Sequence, residues 1–414
     1  MSRLERHIEG VAGIDPLPAR GRITQAIGLV LEGSVAISEI GELCRVISAA
    51  GDRELLAEVV GFREDRVLLM PLGEVAGIGP GSTILPTGER ATAAVGDALL
   101  GRVIDGLGEP LDGLGPLQAQ AREPLYRPPP NPLDRRRIQQ PLDIGIRAIN
   151  GLLTCGRGQR LGIFAGSGVG KSMLLGMIAK NTAADVSVIA LIGERGREVR
   201  EFIDRDLGES GRRRAVVVAA TADQPPLIRR RAAFLAMTLA EYFRAAGRQV
   251  LMMMDSLTRL AQAQREIGLA VGEPPTTKGY TPSVFTVLVE GDDLNDPIAD
   301  AARAALDGHV VLARELAARN HFPAIDVLNS TSRVMLEITA PAHWERARAF
   351  LDLVATYQRA EDLIQIGAYK SGSNPKIDRA ISHWEAIEAY LQQGIHERAP
   401  LGDSIAALER LLPG

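Results

Sequence analysis

Residues 161–172 read Leu-Gly-Ile-Phe-Ala-Gly-Ser-Gly-Val-Gly-Lys-Ser, and no other run constrains the chain as tightly. An apolar stub, Leu161–Phe164, enters a loop of small residues. The loop closes on Gly170-Lys171-Ser172 and opens onto a helical pattern, Met173, Leu174, Leu175, Met177, Ile178. Strand, small-residue loop and helix in that order form a phosphate cradle. Glycines let successive backbone N–H groups converge on one anion, and the helix turns its positive end to the same point. The spacing makes residues 165–173 the candidate nucleotide-binding segment: Ala165, Gly166, Ser167, Gly168, Val169, Gly170, Lys171, Ser172 and Met173. Lys171 would reach the β- and γ-phosphates, and the Ser172 hydroxyl would be a ligand of Mg²⁺. The first glycine of the usual pattern is replaced by Ala165.

A hydrolase built on such a cradle also needs a carboxylate for Mg²⁺, a group to orient water, and positive charge for the transition state. The run Arg248–Asp255 is an apolar strand ending in a carboxylate. Ligands of open α/β sheets bind at the carboxyl ends of the strands, which places Asp255 beside the loop as the metal-organising acid. Asp255 can also be read as the N-cap acid of a helix beginning at Ser256-Leu257-Thr258, a role compatible with the first. A second apolar strand, Val188–Ile192, runs into Gly193-Glu194-Arg195-Gly196-Arg197-Glu198. Glu194 is the candidate general base for water, and Arg195 the candidate γ-phosphate contact.

Composition narrows the partners. The chain has 414 residues, a net charge of −4, and only 4% aromatic residues. That balance gives no global attraction to nucleic acid or anionic lipid. Two distant cysteines, Cys44 and Cys155, lack metal-ligand spacing and read as reduced cytosolic thiols. No apolar run approaches a membrane span and no signal peptide is visible, so the expected location is the cytosol, or a membrane surface where a partner holds the chain.

Four segments follow one another. Residues 1–18 carry Leu4, Ile8 and Val11 at helical spacing among charges, an amphipathic piece with nothing local to pack on, read either as a partner-docking helix or as a frayed tail. Residues 19–92 hold short β-like runs between Gly and Pro: Ile23–Val30, Ser34–Ile40, Leu43–Ile47, Leu55–Phe62, Arg66–Pro71 and Thr83–Pro86. They predict a small β-barrel or sandwich. Residues 93–340 form the P-loop domain, beginning with a Gly/Pro-rich stretch, 93–145, read as an extended connection between domains, ordered by packing against them. Its apolar runs Val186–Ile192, Ala215–Ala220, Gln249–Met254 and Val284–Glu290 fit a parallel sheet buried on both faces. Residues 341–414 are helical in pattern, for example Trp344–Tyr357 and Ile377–Gln393.

Four motifs make a resemblance specific. They are Gly-Glu-Arg-Gly-Arg-Glu-Val-Arg-Glu-Phe (193–202), Asp-Ser-Leu-Thr-Arg (255–259), Pro-Pro-Thr-Thr-Lys-Gly-Tyr-Thr-Pro-Ser-Val-Phe (274–285) and Glu-Gly-Asp-Asp-Leu-Asn-Asp-Pro-Ile-Ala-Asp (290–300). With Gly-Leu-Leu-Thr-Cys-Gly-Arg-Gly-Gln-Arg (151–160) before the loop, the chain resembles the type III secretion ATPases, homologues of the catalytic subunit of rotary ATP synthases. Ala165 is usual in that family. The Glu-Gly-Asp-Asp form is closer to the flagellar than to the injectisome branch.

The resemblance implies an α/β fold: a RecA-like P-loop motor with an N-terminal β-barrel and a C-terminal helical domain. It implies ATP hydrolysis with Mg²⁺, driving protein export as a homohexamer with nucleotide at each subunit interface. Lys171, Ser172, Glu194, Arg195, Asp255 and Arg259 match its active-site positions. Phe322, in His321-Phe322-Pro323-Ala324-Ile325-Asp326, takes the place of the aromatic that stacks on adenine. A second adenine contact falls near Gly394–His396. Arg333, in Ser330-Thr331-Ser332-Arg333-Val334-Met335, matches the arginine finger that acts on the neighbour's γ-phosphate. The implied partners are a stalk-like regulatory protein at the N-terminal helix, a coiled-coil protein in the pore, a membrane export gate, and export substrates or chaperones. The implied location is cytoplasmic, at the inner-membrane export apparatus.

A hexameric RNA motor would share the same core, but the net charge and the aromatic-poor barrel, with Phe62 alone in 20–92, argue against it. The chain departs from the relatives at two places. A helix and a Gly-rich turn that they carry between Phe285 and Thr286 are absent, which predicts an incompletely covered sheet face or subunit interface and raises the alternative of a hydrolytically weak nucleotide-binding scaffold. Asn150 stands where they usually carry Asp, a change from which little is expected.

Overall fold

The computed structural model describes residues 19–35, 38–128, 131, 133, 137–272, 287–288 and 297–413. The 1–18 segment, the 274–285 motif, the 285–286 junction and most of the 290–300 motif lie outside the described residues.

Six strands close an N-terminal barrel: β1 (Gly21–Ile27), β2 (Val30–Ser34), β3 (Glu42–Ile47), β4 (Glu54–Arg63), β5 (Arg66–Pro71) and β6 (Thr83–Arg90), in the order β1-β2-β5-β4-β3-β6 with β6 returning to β1. Alternation sends Ile23, Leu31, Val46, Ala57, Val67 and Ile84 to the interior. Closure removes the exposed edges that a sheet of this size would otherwise present. Two expected strands differ from the sequence reading. Ile23–Val30 is not one strand, because Gly28, at φ 56°, makes a turn and Ile27 pairs with Val30. Ser34–Ile40 is not a strand either, since β2 ends at Ser34.

The Gly/Pro-rich stretch is ordered against its neighbours, but it is not simply extended: it carries short strands. It supplies β7 (Thr92–Val95), paired with β9 (Ala121–Pro124), and β8 (Val103–Ile104), which adds to the edge of the central sheet. A buried bidentate pair holds this region: Arg102 Nε and Nη2 donate to Asp112 at 2.8 and 2.9 Å. Gly106 is there because a Cβ would meet the Ile228 carbonyl oxygen at 2.6 Å.

Among the described residues the central domain has two four-stranded sheets. One is parallel, ordered β13-β11-β12-β8, with β11 at Val186–Ile192, β12 at Ala215–Ala220 and β13 at Val250–Asp255. Every residue of β11 and β12 is buried, which accounts for their uninterrupted apolar sequence. Val186, Val188, Ala190 and Ile192 face the helix Pro226–Ala245, while Ile189 and Leu191 face the core under the P-loop. The other sheet is ordered β14-β10-β15-β16: β14 (Val287–Leu288) and β15 (Gly308–Leu312) lie parallel to β10 (Gly162–Ala165), and β16 (Ile325–Ser332) runs antiparallel to β15.

The barrel is fixed to this domain by a buried carboxylate. Glu58, 1% exposed on β4, accepts from Arg230 at 2.8 Å, Arg231 at 2.9 Å and the Tyr126 hydroxyl at 3.2 Å. Three donors on one carboxylate satisfy a charge that burial alone would penalise. At the other end, helices Pro341–Gln365, Pro375–Leu391 and Leu401–Leu411 pack Phe350, Ile387, Tyr390 and Leu408 into the core of the P-loop domain. The second of these ends two residues earlier than the sequence suggested, leaving Gln392 and Gln393 beyond it. Both cysteines are free and buried. Among the described residues no helix is long and apolar enough to cross a membrane.

Candidate nucleotide-binding site

β10 delivers the chain into the loop and the helix Lys171–Asn181 carries it away. Gly168 and Gly170 take φ 79° and 98°, the left-handed geometry that curls the loop. Val169, 1% exposed, pins the loop to the core, whereas Ser167 and Gly168 stand at its exposed tip. Ala165 closes β10 and is buried among apolar neighbours, so a methyl group is accommodated there. Arg314 Nη2 donates to the Ser167 carbonyl at 3.2 Å and braces the tip from the side. Sequence reasoning did not find this contact, because nothing near Arg314 signals a phosphate loop.

Asp255 ends β13, opposite Leu191 in β11. Its carboxylate meets the Lys171 ammonium, and both side chains are almost fully buried. The capping role for Asp255 falls away: Ser256 is the N-cap of the Leu257–Val271 helix, its side chain accepting from Arg259 N at 3.4 Å. Glu194 follows β11 by two residues. Its loop is held by Gly193 N to Ala220 O at 2.7 Å and Ala222 N to Glu194 O at 3.0 Å. Burial, and next the Asp255 carboxylate, push the Glu194 carboxyl up to about 7, with Lys171 opposing them. Lys171, Asp255 and Glu194 are therefore brought together at the ends of three elements, in the order the sequence predicted.

The predicted arginines divide. Arg259 lies alongside: a Cβ on Gly193 would sit 2.7 Å from the Arg259 Cβ, so the glycine makes room for it. Its Nη1 donates to Gln262 at 2.9 Å, while its Nε is buried with no hydrogen-bond partner in the structure. Arg195 points to solvent, 84% exposed and 3.7 Å from Glu198. Arg333 is on the far edge of the sheet. Leu312 pairs with both Ala165 and Ile325 at the loop end, whereas Ser332 pairs with Gly308 at the opposite end. Four residues of strand, about 13 Å, separate these ends. Arg333 cannot serve its own loop.

Beside the helix lies a shallow, mostly apolar cleft lined by Met173, Leu174, Met177, Phe322 and Ile395, with Gln393 among them. The Phe322 ring lies over the loop, 3.7 Å from where a Gly170 Cβ would be. Gln393 N donates to the Phe322 carbonyl at 2.9 Å and its side chain ties to Gly145 O and Arg147 N, so the C-terminal region holds the aromatic in place. The second wall is Ile395; His396 is exposed and outside the lining.

The site fits a nucleoside triphosphate with Mg²⁺. An apolar cleft lies beside the loop, Arg259 beside Gly193 keeps a buried guanidinium nitrogen without a partner, and Ser172 and Asp255 offer the hard oxygen donors Mg²⁺ prefers. Among the described residues there is no cluster of three or more His, Cys, Asp or Glu side chains able to hold a metal. A single carboxylate plus substrate phosphates is the usual arrangement for Mg²⁺.

Comparison with known proteins agrees along the chain. The family model "ATP synthase alpha/beta family, nucleotide-binding domain" matches residues 145–288 and 283–332, and that family's beta-barrel domain matches 23–88. The "T3SS EscN ATPase C-terminal domain" matches 339–410. A flagellum-specific ATP synthase of Bacillus subtilis is 51% identical over 427 residues, covering 98% of each chain. That of Pseudomonas aeruginosa is 49% identical over 439 residues, covering 99% of this chain and 97% of its own. The assembled ATPase EscN of the enteropathogenic E. coli type III secretion system superposes with a TM-score of 0.87 at 43% identity, over 94% of this chain and 99% of that one. EscN has also been solved in complex with its central stalk EscO.

Proposed function

The chain belongs to the ATP synthase alpha/beta family, and from that premise we propose that it is an ATP hydrolase energising type III protein export, in the flagellar branch. Relatives named flagellum-specific ATP synthase stand at 51% and 49% identity, above EscN at 43%. One observation carries the hydrolase reading: Lys171, Asp255 and Glu194 converge under a loop whose backbone is shaped for phosphate.

In this reading Lys171 leaves Asp255 for the β- and γ-phosphates. Ser172 and Asp255 would hold Mg²⁺, which would supply positive charge for the phosphate oxygens. Glu194 orients the attacking water and accepts its proton, a role suited to a carboxyl pushed up to about 7. Arg259 lines the polar wall. Phe322 and Ile395 hold the adenine. Arg195, exposed in the single chain, would reach the γ-phosphate only after rearrangement. Arg333 would act on the neighbour's nucleotide in a homohexamer, which its remoteness from its own loop supports. A central coiled-coil stalk and a regulatory partner at residues 1–18 would complete the assembly, at a membrane export gate.

A second reading is a hydrolytically weak nucleotide-binding scaffold. The alignment to the Bacillus relative spans 427 positions, more than the 414 residues of this chain, and the family model matches in two pieces meeting at 283–288. Part of the relatives' nucleotide-binding domain therefore has no counterpart here. Mg²⁺-dependent ATP hydrolysis per subunit, measured across protein concentrations, separates the two. A rate rising steeply with concentration supports the export motor with its finger in trans. A flat, near-zero rate with ATP still bound supports the scaffold.

A further inference from the structure

We infer that Gln159 is a positioning residue for Arg333, fixing the arginine to the base of the subunit's own P-loop strand; this rests on Arg333 acting in trans, as proposed above.

Gln159 lies in the turn before β10, and every polar atom of its amide is used. Its Oε1 accepts from Gly156 N at 2.7 Å. Its Nε2 donates to Asp307 O at 3.1 Å and to Ser332 Oγ at 3.2 Å. Both acceptors bear on Arg333. Asp307 O also takes the Arg333 backbone N–H at 3.0 Å, and Ser332 is the residue before it, its hydroxyl donating to Thr154 O at 2.9 Å. Asp307 is in turn locked to the base of β10: its carboxylate accepts from Arg160 N at 3.0 Å and Arg160 Nε at 3.3 Å, and its N–H donates to Arg160 O at 2.9 Å. The Arg333 Nη2 then donates to Arg303 O at 3.3 Å, at the end of the Pro297–Ala305 helix.

The approach is close enough to require glycine at 308. A Cβ there would meet Thr331 O at 2.6 Å and Gln159 Nε2 at 3.0 Å. The backbone at Arg333 is thus built from the turn that begins β10, and the strand that presents one subunit's phosphate loop carries, at its other end, the arginine offered to the next. Movement of the strand moves the arginine with it.

The test uses the assembled full-length chain. Gln159→Leu keeps the volume and deletes both donors. Misplacement by about 1 Å can cost up to about 10²-fold in rate. The expected result is a fall in kcat of about tenfold or more with KM for MgATP and assembly unchanged, and rescue on mixing with Lys171→Ala subunits. In the mixed ring an intact loop on the Gln159→Leu subunit meets an intact Arg333 on its neighbour. Arg333→Ala mixed with Lys171→Ala is the control. Should Gln159→Leu fail to fold, Ser332→Ala, which removes one of the acceptors, is read the same way. Rescue of Arg333→Ala without rescue of either variant, or a loss confined to KM, overturns the role of Gln159 and leaves the trans arginine standing. Full kcat in Arg333→Ala overturns the trans reading, and the Gln159 role with it.

Discussion

Lys171 Nζ donates to Asp255 Oδ1 across the end of the sheet, and the pair is buried with side chains 9% and 5% exposed. The two groups that would bind phosphate and Mg²⁺ neutralise each other here. Removing one partner leaves the other charge buried and unpaired, a change that costs about 3–5 kcal/mol in comparable pairs. Asp255→Ala is therefore expected to lower unfolding stability on that scale and to abolish hydrolysis. The double variant Lys171→Met/Asp255→Leu should recover much of the stability and none of the activity. Additive losses in a double-mutant cycle of urea denaturation would show that the pair is not coupled.

Phe322 and Ile395 both line the cleft beside the loop. Removing an aromatic that stacks on a nucleobase costs about 1–3 kcal/mol. Phe322→Ala is expected to raise KM for ATP about tenfold or more with kcat nearly unchanged, and Ile395→Ala to raise it less. His396→Ala should do nothing, because that side chain is exposed and outside the cleft. Steady-state kinetics of the three variants would separate the walls; a KM effect at His396 and none at Ile395 would reverse the assignment.

What the sequence disclosed follows the range of each interaction. The phosphate loop, the buried strands β11 and β12, and the acids at their ends are local patterns, and they were legible. Asp255 and Glu194 sit at strand ends because apolar runs stop there. The cleft was only half legible: Gln393 and Ile395 reach it from more than 220 positions beyond the loop, and no local periodicity marks them. The barrel strands were blurred where one glycine, Gly28, turns the chain inside an apolar run. The 93–145 stretch looked like a linker because its strands are two to four residues long and draw their stability from the sheet they join.

Glu194 binds a proton more tightly in the folded chain than unfolded, its carboxyl being raised from 4.5 to about 7 by burial and by Asp255. Between these values the folded state carries more protons, so this group makes stability fall as pH rises through the window. Glu194→Gln mimics the protonated form and removes the decline. The variant should match the parent near pH 4.5, gain on it as pH climbs to about 7, and hold a constant advantage of about 1 kcal/mol above, after discounting for solvent screening. Hydrolysis should be lost at every pH. Thermal unfolding in nucleotide-free buffer from pH 4.5 to 8.5 measures it; a constant offset across that range would remove Glu194 as the titrating group.

Asn150 was expected to matter little, yet it is fully buried and spends both amide protons. Nδ2 donates to Asp143 Oδ1 at 2.7 Å and to Ala399 O at 2.9 Å, and Oδ1 accepts from Ile144 N at 3.2 Å. The residue joins the loop before the Arg147–Leu152 helix to the C-terminal region that positions Gln393. Aspartate at this position offers no donor when ionised and at most one when protonated, and sets its carboxyl against that of Asp143. Asn150→Asp is expected to cost about 1–3 kcal/mol, the penalty for buried groups left unpaired. Adding Asp143→Asn returns a donor: Oδ1 of the new amide can keep the bond from Gly145 N, now 2.9 Å long, while its Nδ2 faces the carboxylate introduced by Asn150→Asp. Recovery is only partial, since Ala399 O stays without its donor. Urea midpoints of the two single variants and the double measure this. Equal midpoints for the parent and Asn150→Asp would mean that the buried amide is replaceable by acid without its partner changing.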